Sequence, residues 1–336
     1  MIEFSAEKVF SLSERELLSF LDLGKLVREA KKVKFYAPSF ANQKSNSGDC
    51  SQTKFPTISV TGNACALNCK HCGGKVLGTM LPAETPAKLF EIAEKLKRDG
   101  AVGCLVSGGC LSNGSVPLER FIPVLGRIKS ELGLTVVVHT GIITTGTAEA
   151  LKEAEVDAAL IDVIGSNETI KQVCNLNVTV DDYEDALKSL NSAGLNFVPH
   201  VIVGLHKGLL DGELQALRMI RRFEPSALVV IAFLPIRGTR MENVKPPSPR
   251  AIARVVAVAR LMFPETPLAL GCMRPKAKHR AETDVLALKA GVDAIAFPSE
   301  EAVRYAQEQG YDVAFSPYCC SQIYVDSDIS SRSGSK

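Results

Sequence analysis

From residue 57 onward the chain alternates between short apolar runs and longer amphipathic stretches. Thr57-Ile58-Ser59-Val60-Thr61 reads as a strand. Further strands are predicted at Cys104–Ser107, Thr135–His139, Ala158–Ile164, Phe197–Val203, Leu228–Leu234, Pro267–Gly271 and Ala294–Phe297. Helical patterns fill the intervals. Thr85 as N-cap and Pro86 at the first helical position open one that Gly100 closes. Others run over about Leu118–Leu132, Ala148–Glu153, Asp181–Ser192, Glu213–Arg222, Pro249–Met262, Arg280–Ala290 and Glu300–Gln309. Strands alternating with helices imply a parallel α/β sheet. Eight units in roughly 250 residues suit a (β/α)8 TIM-type barrel. A doubly wound open sheet is the alternative that periodicity does not separate.

The first 35 residues read as amphipathic helix, because Leu17, Leu18, Phe20, Leu21 and Leu26 recur with charges between them. The division is therefore an N-terminal helical extension and polar loop over 1–54, a barrel over 55–310, and a C-terminal extension over 311–336. Its Ser-rich end from Asp326 is expected to be disordered.

Charge narrows the function. Lys plus Arg number 39 and Asp plus Glu 37, a net charge of +2. No bulk basic field exists for nucleic acid, so no nucleic-acid partner is expected. No apolar run approaches the roughly 20 residues that span a bilayer, so no membrane partner is expected either. The first residues lack the basic and apolar regions of a secretory signal. Ten cysteines then point to a reducing, cytoplasmic setting, where clustered thiols bind metal or do chemistry rather than staple the fold.

Three of those cysteines follow the first predicted strand closely, in Cys65-Ala66-Leu67-Asn68-Cys69-Lys70-His71-Cys72. Three soft thiolates at C-x3-C-x2-C spacing can wrap one iron–sulfur cluster and leave one iron of a 4Fe–4S cluster open. Inert buried cysteines or a structural zinc site are the bland readings; zinc would want a fourth ligand. The loop sits at the C-terminal end of a strand, where barrels keep their active sites.

On this spacing and position the chain resembles the radical S-adenosylmethionine (SAM) superfamily. The resemblance implies that Cys65, Cys69 and Cys72 hold a 4Fe–4S cluster whose open iron binds SAM, and that His71 lies near the adenine. It also implies reductive cleavage of SAM to a 5′-deoxyadenosyl radical. Ser107-Gly108-Gly109-Cys110 resembles the family's glycine-rich contact to the methionine end of SAM, through Gly108 and Gly109. Cys110 stands where a glutamate often follows. Asp162 matches the polar residue that meets the ribose. The segment His200 to His206, with Ile202 and Gly204, resembles the strand beside adenine, and Pro235 to Thr239 resembles the sixth-strand turn of the biotin synthase and lipoyl synthase branch.

Cys272, Cys319 and Cys320 are the best candidates for a second cluster, with Cys110 on the same face and Cys50 in the polar loop. Cys104 and Cys174 read as small apolar packing. Among five histidines, His139 and His206 are the candidates for proton handling or substrate contact.

Overall the chain is most similar to the archaeal-type two-component lipoyl synthases, with Phe35-Tyr36-Ala37-Pro38-Ser39-Phe40 and Gly73-Gly74-Lys75 contributing. That resemblance implies sulfur insertion into an octanoyl-lysyl carrier protein, an electron donor such as ferredoxin or flavodoxin, and a paralogous radical SAM partner. Two competitors are a radical SAM mutase or lyase acting on a small molecule, and a non-catalytic iron–sulfur carrier or scaffold.

Overall fold

The chain's architecture, taken from a computed structural model, is described over residues 5–37 and 54–325. Cys50, the Pro38–Phe40 stretch, most of the polar loop before residue 54 and the tail from Asp326 lie outside the described residues.

Two short helices come first, α1 (Ala6–Ser11) and α2 (Glu14–Asp22). Ser13 and Glu16 form a reciprocal capping box at the start of α2. The helical reading of the first 35 residues is corrected here. Helix ends at Asp22, and β1 (Lys32–Tyr36) is a strand. Lys32, Val33, Lys34 and Phe35 alternate polar and apolar, the period of a strand rather than a helix.

The remaining strands are β2 (Thr57–Ser59), β3 (Leu81–Pro82), β4 (Gly103–Ser107), β5 (Thr135–His139), β6 (Ala158–Asp162), β7 (Phe197–Val203), β8 (Leu228–Ala232), β9 (Leu268–Leu270), β10 (Ala294–Ala296) and β11 (Asp312–Ser316). The crossover helices are α3 (Pro86–Arg98), α4 (Ile122–Leu132), α5 (Thr145–Glu153), α6 (Asn167–Gln172), α7 (Val180–Ser192), α8 (Glu213–Ile220), α9 (Pro249–Met262), α10 (Ala277–Lys289) and α11 (Glu300–Glu308).

All eight strands expected from alternation are present, so the α/β barrel-type reading holds. The sheet is wholly parallel, in the order β11-β1-β10-β9-β8-β7-β6-β5-β4-β2-β3. It curls as a partial barrel, and among the described residues no ladder joins β3 to β11. β1 is the join at one end: Phe35 pairs with Ile295 on one side and Phe315 on the other.

Two apolar cores follow from the two faces of the sheet. The outer one lies between sheet and helices and includes Leu187, Val255, Leu89 and Val106. The inner one lines the lumen with Val137, Leu160, Val198, Val229 and several alanines. Small side chains at Ala158, Ala227, Ala269 and Ala294 leave room there, and the chain's own end takes it. Cys320 and Ile323 are buried in this inner core, with Tyr318 and Tyr324 against it. Tyr324 Oη donates to the Asp157 carbonyl at 2.7 Å, just below the start of β6. The segment from Cys319 to Tyr324 thus runs down the lumen and closes its lower end. No helix of the described residues is long and apolar enough to cross a membrane.

Candidate active site

The cysteine loop leaves β2 at its C-terminal end. Its shape is set by a network of short bonds. Thr61 Oγ1 donates to the Ala64 carbonyl (2.9 Å) and accepts from Gly109 N (2.7 Å). Ala66 N donates to the Cys110 carbonyl at 2.8 Å. A side chain at Gly109 would place its Cβ 2.0 Å from the Ala64 carbonyl oxygen, so only glycine lets the turn after β4 lie against this loop. Farther along, Lys70 N donates to the Val173 carbonyl at 2.8 Å, and Asn175 Nδ2 to the Leu67 carbonyl at 3.0 Å. Arg240 donates to the Asn68 carbonyl at 2.5 Å. Asn68 itself sits at φ +46°, the left-handed region that asparagine tolerates better than most.

Cys69, His71 and Cys72 offer ligand atoms that all lie within 4.8 Å of one another. Cys65 is close enough to act electrostatically on Cys69 and on Cys110. Cys69 Sγ donates to the Cys174 carbonyl at 3.1 Å. Hydrogen bonding at Cys174 and burial push the Cys69 thiol up, and its bond with Cys69, then burial, pushes Cys72 up to about 12. A metal centre bound here must displace both protons, as thiolate ligation requires. His71 Nδ1 is buried with no partner among the described residues, an atom left for a ligand. This donor set fits an iron–sulfur centre, being soft, clustered and partly enclosed.

The lumen above the plug carries a polar group. His139 Nε2 is 3.6 Å from Asp162 Oδ1, and the rings of His139 and His200 are 5.8 Å apart. Asp162 Oδ1 is buried and without a hydrogen-bond partner among the described residues. His200 Nδ1 lies 3.1 Å from the Val198 carbonyl. A carbonyl only accepts, so Nδ1 carries the proton and Nε2 is an acceptor. Burial holds His200 down at about 4, so it is neutral at physiological pH. Ile202 lies two residues farther along β7, on the same face by strand parity, and is half-buried.

Gly204 is dictated by local geometry. It has φ +73°, and a Cβ there would meet Pro247 at 2.7 Å. Its N–H donates to Glu213 Oε1 at 2.8 Å. Burial pushes Glu213 up to about 7, and its Oε2 makes no hydrogen bond among the described residues. His206 belongs to a side network. Its Nδ1 lies 2.9 Å from Thr169 Oγ1 and 3.5 Å from Asp211. His279 is likewise satisfied, at 2.8 Å from the Pro247 carbonyl.

Cys272, Cys319 and Cys320 form the second thiol group at this mouth. Burial, then the charge of Cys319, pushes the Cys272 thiol up; the hydrogen bond to Cys319, then burial, pushes Cys320 up; and Cys320 as hydrogen-bond donor lowers Cys319. Their sulfurs do not converge within 4.8 Å as the ligand atoms of Cys69, His71 and Cys72 do, a set that Cys65 does not join. Beside them is Arg274, fully buried. It forms a bidentate pair with Asp284 (2.7 and 3.0 Å) and donates to the Gly271, Ala296 and Phe297 carbonyls (2.6, 2.8 and 3.1 Å). Every guanidinium N–H is thereby used. Phe297 is held at φ +50°, strained for an aromatic residue. Sequence reading passed over Arg274, Asp284 and Glu213. A buried charge has no periodic signature, and only the position of Arg274 two residues after Cys272 hints at it.

Residues 59–217 match the family model of the Radical SAM superfamily, and residues 229–316 match the Biotin and Thiamin Synthesis associated domain. Biotin synthase of Hyphomonas neptunium (strain ATCC 15444) is 26% identical over 269 residues, covering 77% of this chain and 82% of the relative. Biotin synthase of Halorhodospira halophila (strain DSM 244 / SL1) is 26% identical over 249 residues, 71% and 73% of the two chains. Among solved structures, methylornithine synthase superposes with a TM-score of 0.60 at 17% identity, over 96% of this chain and 99% of that one. The FeFe-hydrogenase maturase HydG from Carboxydothermus hydrogenoformans gives 0.59 at 16%, over 92% and 74%. At such identities the structures speak for the fold alone. Proteins of the matched superfamily use a 4Fe–4S cluster and SAM and need an electron donor. With a thiol loop on β2 and a glycine turn on β4, the chain matches the radical SAM superfamily model over residues 59–217 and is similar to biotin synthases.

Proposed function

We propose that this protein inserts sulfur into an octanoyl chain carried on a lysine of a carrier protein. The observation that carries the reading is the second thiol group, Cys272, Cys319 and Cys320, at the same mouth as the cysteine loop. A second cluster held there would be the sulfur source that such an insertion requires. Cys65, Cys69 and Cys72 are the ligands of the 4Fe–4S cluster. A cluster bound there would supply the one-electron reduction of SAM.

The chain's own residues set the rest. Gly108 and Gly109 give the methionine end backbone groups at close approach. Asp162 offers a buried acceptor to the ribose hydroxyls, and Ile202 and Gly204 border the adenine beside His71. His200, fixed as an acceptor at Nε2, and His139 line the floor that a substrate chain reaches. His139 Nε2 faces Asp162 Oδ1 across 3.6 Å. The plug excludes water from below, which protects a carbon radical. Cys272, Cys319 and Cys320 would hold a second cluster, the sulfur source, and Arg274 positions the Cys272 loop with every N–H already used.

A ferredoxin or flavodoxin supplies electrons, a paralogous radical SAM protein completes the second insertion, and the unpaired thiols fit a reducing cytoplasm. The test is an anaerobic reaction of reconstituted protein with SAM, reductant and an octanoyl-lysyl peptide, read by mass. A sulfur adduct is expected. No adduct from protein carrying roughly eight irons, with its paralogue present, removes the octanoyl reading.

A further inference from the structure

The elements that brace the cysteine loop from outside share a charge bias that the whole chain lacks. Lys70 and Lys75 are on or beside the loop, Lys171 is on α6, Lys207 is in the turn after β7, and Arg237 and Arg240 are in the turn after β8. Contacts between these segments join them into one surface. Lys70 N bonds Val173 just past α6, Lys207 Nζ donates to Gln172 Oε1 at 2.7 Å, and Arg240 donates to Asn68 within the loop. Lys75 Nζ lies over Gly238, beside Arg237. Among the described residues none of the six forms an ion pair with a carboxylate, whereas cations elsewhere do, for example Lys129 with Asp157 and Arg218 with Glu7.

Three carboxylates share these segments, and each is engaged by neutral donors. Glu168 accepts from Gln172, Asp211 from Ser166 and Thr169, and Glu242 from Gly238 N. Six cations against three carboxylates make this face distinctly positive on a chain whose net charge is only +2. Leu209 stands in the same turn as Lys207, 66% exposed, an apolar anchor among the charges.

We propose that this face is the docking surface for an acidic one-electron carrier protein, which delivers its electron to the cluster held by the loop behind it. The assignment rests on the superfamily match and the loop's position, and is independent of which substrate is thiolated. Electron-transfer encounters are small and weak, and charge complementarity steers them more than buried area does. A positive rim around a short apolar anchor suits that need. The step balances with a flavin donor: the anionic hydroquinone loses one electron to become the neutral semiquinone, no proton moves, and the cluster passes from 2+ to 1+.

The test uses the reconstituted holoenzyme and a flavodoxin of net negative charge. The variant is the triple charge reversal Lys171→Glu, Lys207→Glu, Arg237→Glu, residues that neither ligate metal nor brace the loop. Binding of oxidised flavodoxin and the second-order rate of cluster reduction by its hydroquinone are measured at low and high salt. About a 10-fold or greater loss is expected in both at low salt, shrinking at high salt. Reduction by a photoreduced deazaflavin, a small molecule with no docking surface, stays within about 2-fold, as does iron content, which separates docking from damage to the fold. The triple Gln variant gives an intermediate loss. Unchanged flavodoxin binding and rate, or an equal loss with deazaflavin, overturns the proposal. So does a variant that keeps its flavodoxin kinetics and instead loses affinity for an acylated carrier protein, since the face then serves substrate.

Discussion

Cys65, Cys69 and Cys72 come from one turn after β2, whereas Cys272 leaves β9 and Cys319 and Cys320 follow β11. The first group is local. Its loop would hold much the same shape wherever a strand, a facing glycine turn and the Arg240 and Asn175 braces recur. The second group is assembled at long range. Its thiols meet only because the chain's end enters the lumen, with Ile323 and Tyr324 packed on the inner face of the sheet. The first ligand set has its thiols adjacent in sequence, in a loop braced by Gly109, Asn175 and Arg240. An assembled set depends on the core that draws its parts together, so the two groups respond to different damage.

The largest effect should separate the two groups cleanly. Cys69→Ser is expected to abolish 5′-deoxyadenosine formation, because the first centre then lacks a ligand. The double variant Cys319→Ser, Cys320→Ser is expected to keep SAM cleavage while losing sulfur insertion, with iron falling from roughly eight to roughly four per chain. Iron analysis and product quantification by mass read both. If the double variant stops SAM cleavage as fully as Cys69→Ser does, the two groups are one functional unit and the comparison collapses.

Core substitutions sharpen the same contrast. Ile323→Ala removes a buried side chain from the inner core, and Leu187→Ala does so in the outer one. Each is expected to cost about 2–4 kcal/mol, read by urea unfolding of the iron-free proteins. Only Ile323→Ala should also release iron from the second group, because it loosens the segment that carries Cys319 and Cys320. Equal iron retention in both would show that the plug does not hold those thiols in place.

Legibility in the sequence followed the same division between local and assembled. The eight strands that alternate with helices could be read because each carries its own apolar run, and the three-cysteine loop because its ligands are adjacent. β1 was absorbed into the helical pattern of Leu17 to Leu26, since five alternating residues after an amphipathic stretch are a weak signal. β11 was missed because its meaning lies in pairing with β1 at the other end of the chain. The plug had no signature at all. Its fit depends on Ala158, Ala227, Ala269 and Ala294 facing one lumen, and that coincidence exists only once the sheet has curled. Gly109 and Gly204 were singled out as cofactor contacts. The structure adds that the backbone of Ala64 and the ring of Pro247 already demand glycine there.

The smallest expected effect lies beside the first group, where Glu213 braces Gly204. Burial raises this carboxyl from 4.5 to about 7, so between those values the folded chain binds a proton that the unfolded chain has lost. Its contribution to stability is therefore present below about pH 4.5 and fades as pH rises through 7. Glu213→Gln keeps an acceptor for Gly204 N and removes the charge, at the cost of an amide NH2 in the place of the unpartnered Oε2. Relative to the parent, the variant should gain on the order of 1 kcal/mol between pH 5 and pH 8, seen as a flatter pH profile in urea unfolding. Loss of iron from the first centre is not expected, because the cysteine loop is braced by Arg240 and Asn175 rather than through Gly204. A pH profile identical to the parent's would mean that Glu213 is already ionised and solvated, and that the turn after β7 opens to water more readily than its packing implies.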